Sequence, residues 1–217
     1  MNAPLPREGS DRFRSLDAER GVMTSMDGRR AVLLSSSFLF GLTRTLDAES
    51  PGVSALTLYA AGTSWGRLYF HDADAWYRRT EGRGVHDVPA RTFLATFADE
   101  MALAGWGRFT VDFTQKRHGV LVVELTDSPV SGSIGLVGKP VDCLHAGFFA
   151  GLLTEFARFP LAAVETSCTS AGDDVCRFVL GAATEVRAPR FWQLEGGSYP
   201  DIDRALGLSR VLEAGVR

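Results

Sequence analysis

No apolar run in the chain reaches the roughly 18 residues that a membrane-spanning helix requires, so no transmembrane segment is expected. The opening stretch "MNAPLPREGSDRFR" lacks the apolar core of a signal peptide, and a cytoplasmic location is the expectation. Basic residues are not in excess: 23 Lys and Arg stand against 26 Asp and Glu, for a net charge of -3. A nucleic-acid binder would concentrate positive charge, so that class is set aside. Two kinds of catalytic equipment are missing as well. No strand-linked G-x-G-x-x-G with a later acidic residue is present, which argues against a dinucleotide-dependent enzyme. No G-x-S-x-G elbow is present, which argues against a serine hydrolase. His71 stands alone beside Asp72 without a second aligned group, so a catalytic role is not assigned to it. The chain leans away from being an enzyme.

Cysteine is scarce too. There are three, and all lie in one stretch, "CLHAGFFAGLLTEFARFPLAAVETSCTSAGDDVCRFVL", from Cys143 to Leu180. Leu144, Phe148, Leu152, Phe156 and Phe159 recur there at helical spacing, and Pro160 cannot continue a helix, so one is expected over about Val141 to Phe159. Ala146, Gly147, Ala150 and Gly151 give that helix a side of small residues, where a neighbour could approach closely. "LAAVETSC" and "VCRFVL" read as a hairpin around "TSAGDD". The hairpin brings Cys168 near Cys176, and an acidic residue, Glu165, lies close by. Thiolates and a carboxylate together suit a four-coordinate zinc with no open position, hence a structural one. Burial as three small hydrophobes and a Cys168–Cys176 disulfide are the alternatives that spacing leaves open. Glu165 and Cys168 are an odd number of residues apart and would face opposite ways on a regular strand. Joint ligation therefore requires a bulge, or Cys168 already in the turn.

Elsewhere, the first 29 residues mix Pro, Gly, Ser and charge and read as a flexible arm with one helical turn near Phe13 to Glu19. A short strand at "RRAV" and a helix ending at Ser50-Pro51-Gly52 follow. "VSALTLYAAG" is ambiguous, while "TSWGRLYFHDADAWYRRT" is a helix with Trp65, Leu68, Tyr69, Asp72 and Trp76 on one face. "ARTFLATFADEMALAG" is another, with Phe93, Phe97, Met101 and Ala104 on one side and Gly105 as its C-cap. "WGRFTVDF" and "GVLVVEL" are strands, and their alternation marks antiparallel pairing with one solvated side. "TDSPVSGSIGLVGKP" reads as a long loop. After Gly181 a connector containing Phe191 and Trp192 leads to a short helix capped by Asp201. The expected layout is thus an arm over 1–29, a domain over 30–181 and a C-terminal extension with a short helix over 182–217. The fold class is α+β, an antiparallel sheet packed with helices. Trp65, Tyr69, Trp76, Phe93, Phe97, Trp106 and Phe148 are candidate walls of a ligand pocket, with His118, Trp106 and His145 as candidate polar contacts.

"CLHAGFFAGLLTEF" followed by "VETSCTSAGDDVCRFVL" resembles the 4-vinyl reductase domain family: a cysteine-led, Gly-containing helix, an E-x-x-C strand, a G-D-x-x-C turn and an aromatic-valine strand. The resemblance covers roughly Pro89 to Gly181 and extends back to Arg30. In phenol-sensing activators that carry this domain, one Cys, one Glu and two further Cys bind zinc. The resemblance implies Cys143, Glu165, Cys168 and Cys176 as ligands here. It also implies a fold similar to TRAPP vesicle-tethering subunits, a homodimer, and a small hydrophobic or aromatic ligand held by a sensor or carrier. The alternatives it implies are a bacteriochlorophyll-synthesis protein of the 4-vinyl reductase type that binds or delivers a tetrapyrrole, and a scaffold or adaptor.

Overall fold

The computed structural model describes residues 14–25, 29–50, 53–114, 116 and 119–182. Three short strands, β1 (Arg14–Asp17), β2 (Val22–Ser25) and β3 (Arg30–Ala31), form one antiparallel sheet in that order. The helical turn expected near Phe13 to Glu19 is instead β1 and the turn after it, where the backbone N–H of Arg20 donates to Asp17 Oδ1 at 3.0 Å. The C-terminal helix from Asp201, the anchors Phe191 and Trp192, and His118 lie outside the described residues.

Helices α1 (Ser36–Glu49), α2 (Ser54–Glu81) and α3 (Ala90–Leu103) follow, then β4 (Arg108–Asp112), β5 (Leu121–Thr126), α4 (Pro129–Ile134), α5 (Cys143–Ala157), β6 (Leu161–Ser167) and β7 (Cys176–Ala182). The four later strands make an antiparallel sheet in the order β4-β5-β7-β6. This mixed arrangement of helices and antiparallel sheet is the expected class. Strand β4 alternates as expected, Phe109 buried between exposed Arg108 and Thr110. Within the stretch expected to be a loop, α4 forms because Ser128 caps it, accepting from the N–H groups of Val130 and Ser131, and Pro129 presets its first turn. Among the described residues, no helix is long and apolar enough to cross a membrane.

The core is built around α5. Residues His145 to Leu153 are all buried, as befits a helix apolar on every side. On one side Phe149 meets Phe109 and Phe178 of the sheet, at ring separations of 5.4 and 5.2 Å. On the other side lies α2, a single 28-residue helix whose buried positions are Ser54, Leu58, Gly62, Gly66, Phe70 and Tyr77. The face expected to be buried, through Trp65, Leu68 and Trp76, is displaced from this one, and Leu68 is exposed. Each fully buried Phe of α5 contributes roughly 2–3 kcal/mol of transfer free energy. The Tyr59 hydroxyl of α2 accepts from the Ala163 N–H at 3.0 Å and ties α2 to β6.

The turn after α2 is pinned by Asp74. Its Oδ1 accepts from Val85 N at 2.8 Å and its Oδ2 from Arg78 Nε at 2.7 Å. Desolvation pushes this carboxyl up, but the Arg78 and Val85 hydrogen bonds and the Arg78 and His86 charges outweigh it and hold the group below its ordinary value. A depressed acid stabilises the fold above its unfolded pKa and loses that contribution as pH falls. Asp74→Asn should therefore cost on the order of 1 kcal/mol at neutral pH, the gap closing as pH drops below 3.8. Urea unfolding at neutral and acid pH measures it; a gap independent of pH would refute the assignment.

Candidate metal centre

In the β6–β7 hairpin, Val164 pairs with Val179 and Glu165 with Phe178, but Ser167 pairs with Arg177. Thr166 is therefore an extra residue on β6, a bulge that turns the strand after Glu165. Cys168 follows in extended conformation (φ -153, ψ 136) and caps a single 3-10 turn, Thr169–Ala171. That turn is locked at Cys168: its N–H donates to Asp173 Oδ2 at 2.8 Å, and its carbonyl accepts from Ala171 N and Asp173 N. The odd spacing of Glu165 and Cys168 is thus accommodated by both routes that joint ligation requires, a bulge and a turn.

Consequently one carboxylate oxygen of Glu165 and the sulfurs of Cys168 and Cys176 all lie within 4.8 Å of one another. All three residues are fully buried. The two sulfurs are 3.8 Å apart. A disulfide would hold them at about 2.05 Å, whereas two thiolates on a tetrahedral ion with bonds of about 2.3 Å stand about 3.8 Å apart. Glu165 Oε2 accepts from Asp142 N at 2.7 Å, while Oε1 has no hydrogen-bond partner among the described residues.

Three acidic groups in one dry pocket repel one another. Burial, reinforced by the Asp142 charge, pushes the Glu165 carboxyl well above the ordinary carboxylate range. The two thiols share a hydrogen bond. It holds Cys176 down, to about 6, helped by donors from Thr169 and Ser131, and it pushes Cys168 up along with burial. Two sulfurs at ion-bridging distance and a carboxylate oxygen without a partner among the described residues fit a divalent cation that accepts sulfur and oxygen. Cys143, the other expected ligand, heads α5 half-buried and is not among the atoms that converge.

Behind the cluster runs a buried polar chain. Asp142 gives its N–H to Glu165; one of its carboxylate oxygens accepts from the Ser128 hydroxyl and the other lies 2.6 Å from His145 Nδ1. His145 Nε2 is buried without a partner among the described residues.

The aromatic candidates divide into two groups. Trp65, Tyr69 and Trp106 line a cavity of 410 Å³ with Leu39, Met101 and Glu100, between the segment around β3 and helices α2 and α3. Phe93, Phe97 and Phe148 do not line it; they pack ring against ring in the core, Phe97 lying 5.6 Å from Phe148 and 6.4 Å from Phe93. Trp76 meets Tyr77 edge-on, away from this cavity. Helical periodicity cannot separate a pocket wall from a core, since both are apolar. His71 is exposed and lies 3.7 Å from Glu155.

Residues 121–182 match the family model of the vinyl-4-reductase domain. No curated protein sequence matches the chain significantly. Among solved structures, the phenol-responsive sensory domain of the transcription activator PoxR, determined with phenol, superposes with a TM-score of 0.63 at 16% identity, covering 84% of this chain and 92% of that one. A trafficking protein particle complex subunit 3 from Naegleria fowleri, covalently bound to palmitic acid, gives 0.52 at 13% identity over 67% and 91%. A vinyl-4-reductase family protein from Methanocaldococcus jannaschii gives 0.44 at 16% identity over 67% and 76%. The fold is thus like that of the PoxR sensory domain and of a TRAPP subunit, as the sequence resemblance implied.

Within the matched vinyl-4-reductase segment lie β5, α4, α5 and the bulged hairpin, hence the whole cluster and its polar chain. Asp142, Ser128 and Ser131 were not singled out in the sequence. A signal existed for the first: Asp and His three apart at a helix start are neighbours on one face.

Proposed function

We propose that this vinyl-4-reductase-type domain is a zinc-stabilised module that binds a small hydrophobic or aromatic ligand without transforming it, acting as a sensor or carrier in the cytoplasm. The observation that carries the metal half is the convergence of Glu165, Cys168 and Cys176, with sulfurs at the spacing two zinc ligands would have. Cys143 is the proposed fourth ligand, one residue from the Asp142 N–H that holds Glu165. A zinc ion held there would supply fixed positive charge. A shell of four protein ligands leaves no place for a substrate, so the role is to tie the start of α5 to the hairpin.

Support for the ligand half comes from the 410 Å³ cavity, whose size and mainly apolar lining with few polar groups suit a small organic molecule. The likeness to a sensory domain determined with phenol favours an aromatic one. The proposed binding unit is 30–181, with 1–29 as an arm and 182–217 as an extension. A homodimer is supported by the exposed apolar side chains of Val32, Leu33, Leu34 and Phe38.

Native mass spectrometry with metal analysis of the purified protein tests the reading. One zinc per chain and a bound small organic mass are expected. A coloured macrocycle would replace the sensor reading with the tetrapyrrole one. Protein free of metal and ligand but holding a stable partner would replace it with a scaffold.

A further inference from the structure

Strand β4 is an edge of the four-stranded sheet: it pairs with β5 on one side and has no strand on the other among the described residues. An edge leaves a row of backbone N–H and C=O groups open to a further strand. Along it Arg108, Thr110 and Asp112 are exposed, while Phe109 and Val111 are turned inward. Charges on an edge ordinarily serve to keep a second copy away. Those of β4 do not, because the row carries opposite signs at its two ends. When β4 pairs antiparallel with the same strand of a second copy, centred on Thr110, Arg108 stands directly opposite the partner's Asp112, and symmetry repeats the pair at the other end.

Helix α3 repeats the pattern. It is joined to β4 by the short connection 104–107, and the two elements line a groove of 580 Å³ to which Leu94, Phe109 and Val111 give an apolar surface. On the helix side Arg91, Ala95 and Asp99 are exposed, each one turn from the next. Phe97 meets Phe109 at 4.6 Å, which fixes the level of one element against the other. The two run antiparallel, and a helix rises about 1.5 Å per residue where a strand rises about 3.3 Å. Ala95 therefore lies near the level of Thr110, Asp99 near that of Arg108 and Arg91 near that of Asp112. One two-fold axis thus serves both elements, setting Arg91 opposite the partner's Asp99 as it sets Arg108 opposite the partner's Asp112. The small side chain of Ala95 at the centre lets the two helices approach. Arg91, Asp99 and Arg108 form no ion pair among the described residues, so no internal partner competes for them.

We infer that the α3–β4 edge is a self-pairing surface, on which a second copy of this chain adds its β4 antiparallel and makes one sheet continuous across two chains. The surface shares no residue with the apolar patch of Val32, Leu33, Leu34 and Phe38. Two isologous surfaces on one chain carry the assembly beyond a dimer.

The test uses the full chain carrying Phe38→Glu, which puts a charge into the apolar patch at an exposed position, so that self-association reports the β4 edge. Sedimentation velocity should show a dimer that weakens as salt is raised. Arg108→Asp alone, or Asp112→Arg alone, sets like charges opposite each other at both ends, and each should weaken the dimer about tenfold or more. Mixed in equal amounts, the two variants should pair with each other, since every contact is then between opposite charges. The double exchange of Arg108→Asp with Asp112→Arg should pair with itself. Asp112 also accepts from the Thr114 N–H at 2.8 Å, and its replacement disturbs that turn. Arg91→Asp and Asp99→Arg on α3 repeat the experiment without touching it. A monomeric Phe38→Glu chain, or a dimer indifferent to all these exchanges, overturns the inference and leaves the zinc and ligand-binding readings standing. If the unsubstituted chain is only a dimer and Arg108→Asp dissociates it, the edge is upheld and the apolar patch falls instead.

Discussion

Gly66→Ala is expected to cost the protein about 3 kcal/mol or more, enough to unfold a marginal domain. A β-carbon there would stand 2.1 Å from the Phe148 carbonyl oxygen and 2.7 Å from the Leu152 amide nitrogen. Both atoms are backbone of α5, so no rotamer change relieves the overlap. The helices must separate, and every dispersion contact along their seam weakens together. The same holds at Gly62, 2.0 Å from Leu144 O, and reciprocally at Gly147 and Gly151, whose added carbons would meet the carbonyl oxygens of Tyr59 and Thr63 at 2.0 and 2.2 Å. Glycine pairs spaced by four on two facing helices thus let α2 and α5 touch main chain to main chain. Gly41 is the internal control: it lies in α1 with nothing among the described residues within 4 Å of its added carbon. Gly41→Ala should gain roughly 0.5–1 kcal/mol from reduced backbone freedom in the unfolded chain. Urea unfolding read by tryptophan fluorescence compares them; midpoints moving in the same direction would defeat the close-packing account. The seam also bears on the site, because it seats the first turn of α5, with Asp142 and His145, against the hairpin.

These glycines explain what the sequence did and did not reveal. Helix α5 and the β6–β7 hairpin were legible because large apolar residues recur there at the right period and Pro160 marks the break. The small side of α5 was legible too. The matching side of α2 was not, since Gly62 and Gly66 contribute nothing to a hydrophobic pattern; the eye follows Trp65, Leu68 and Trp76 onto a neighbouring face. Periodicity reports where bulk lies, and a seam closed by the absence of bulk is invisible to it. The short helix α4 was hidden by glycine and serine in its body, although Ser128-Pro129 carried its start signal. At the candidate metal centre the residue types, the nearness of Cys168 to Cys176 and the need for a bulge could be read, but not whether the Cys143 sulfur converges with them. That depends on how far α5 is set from the hairpin, a distance fixed by packing across the whole core. The His145 nitrogen without a partner among the described residues lay further out of reach, since an unsatisfied atom is defined by everything around it.

Removing metal is expected to reverse the pH dependence of stability between pH 4.5 and about 6. With zinc bound, protons compete with the ion for the Glu165 carboxylate and the two thiolates, so stability falls as pH falls. Without it, the raised Glu165 carboxyl governs. Unfolded, this group ionises near 4.5; folded, burial and the Asp142 charge keep it protonated further up. A group raised in the folded state gives its full contribution below the unfolded pKa and loses it as pH rises through the folded one. Metal-free protein should therefore weaken with rising pH where metal-loaded protein strengthens. Above about 6 the depressed Cys176 thiol adds stability with rising pH and masks the effect, which sets the upper end of the window. Glu165→Gln sharpens the contrast. In loaded protein it removes a ligand and should lower the melting temperature by roughly 10 °C, corresponding to about 4 kcal/mol. In metal-free protein it removes a carboxyl that resists ionisation and should raise stability at pH 6. Cys168→Ser should match the first loss, since a thiolate is gone, and lack the second gain, since no buried carboxyl is relieved. Scanning calorimetry with and without a chelator reads all four cases. If purified protein contains no metal, a chelator changes nothing and Glu165→Gln stabilises it as isolated, the cluster is a strained acidic core rather than a metal site. The zinc reading would then fail even though the cavity lined by Trp65 and Trp106 remained.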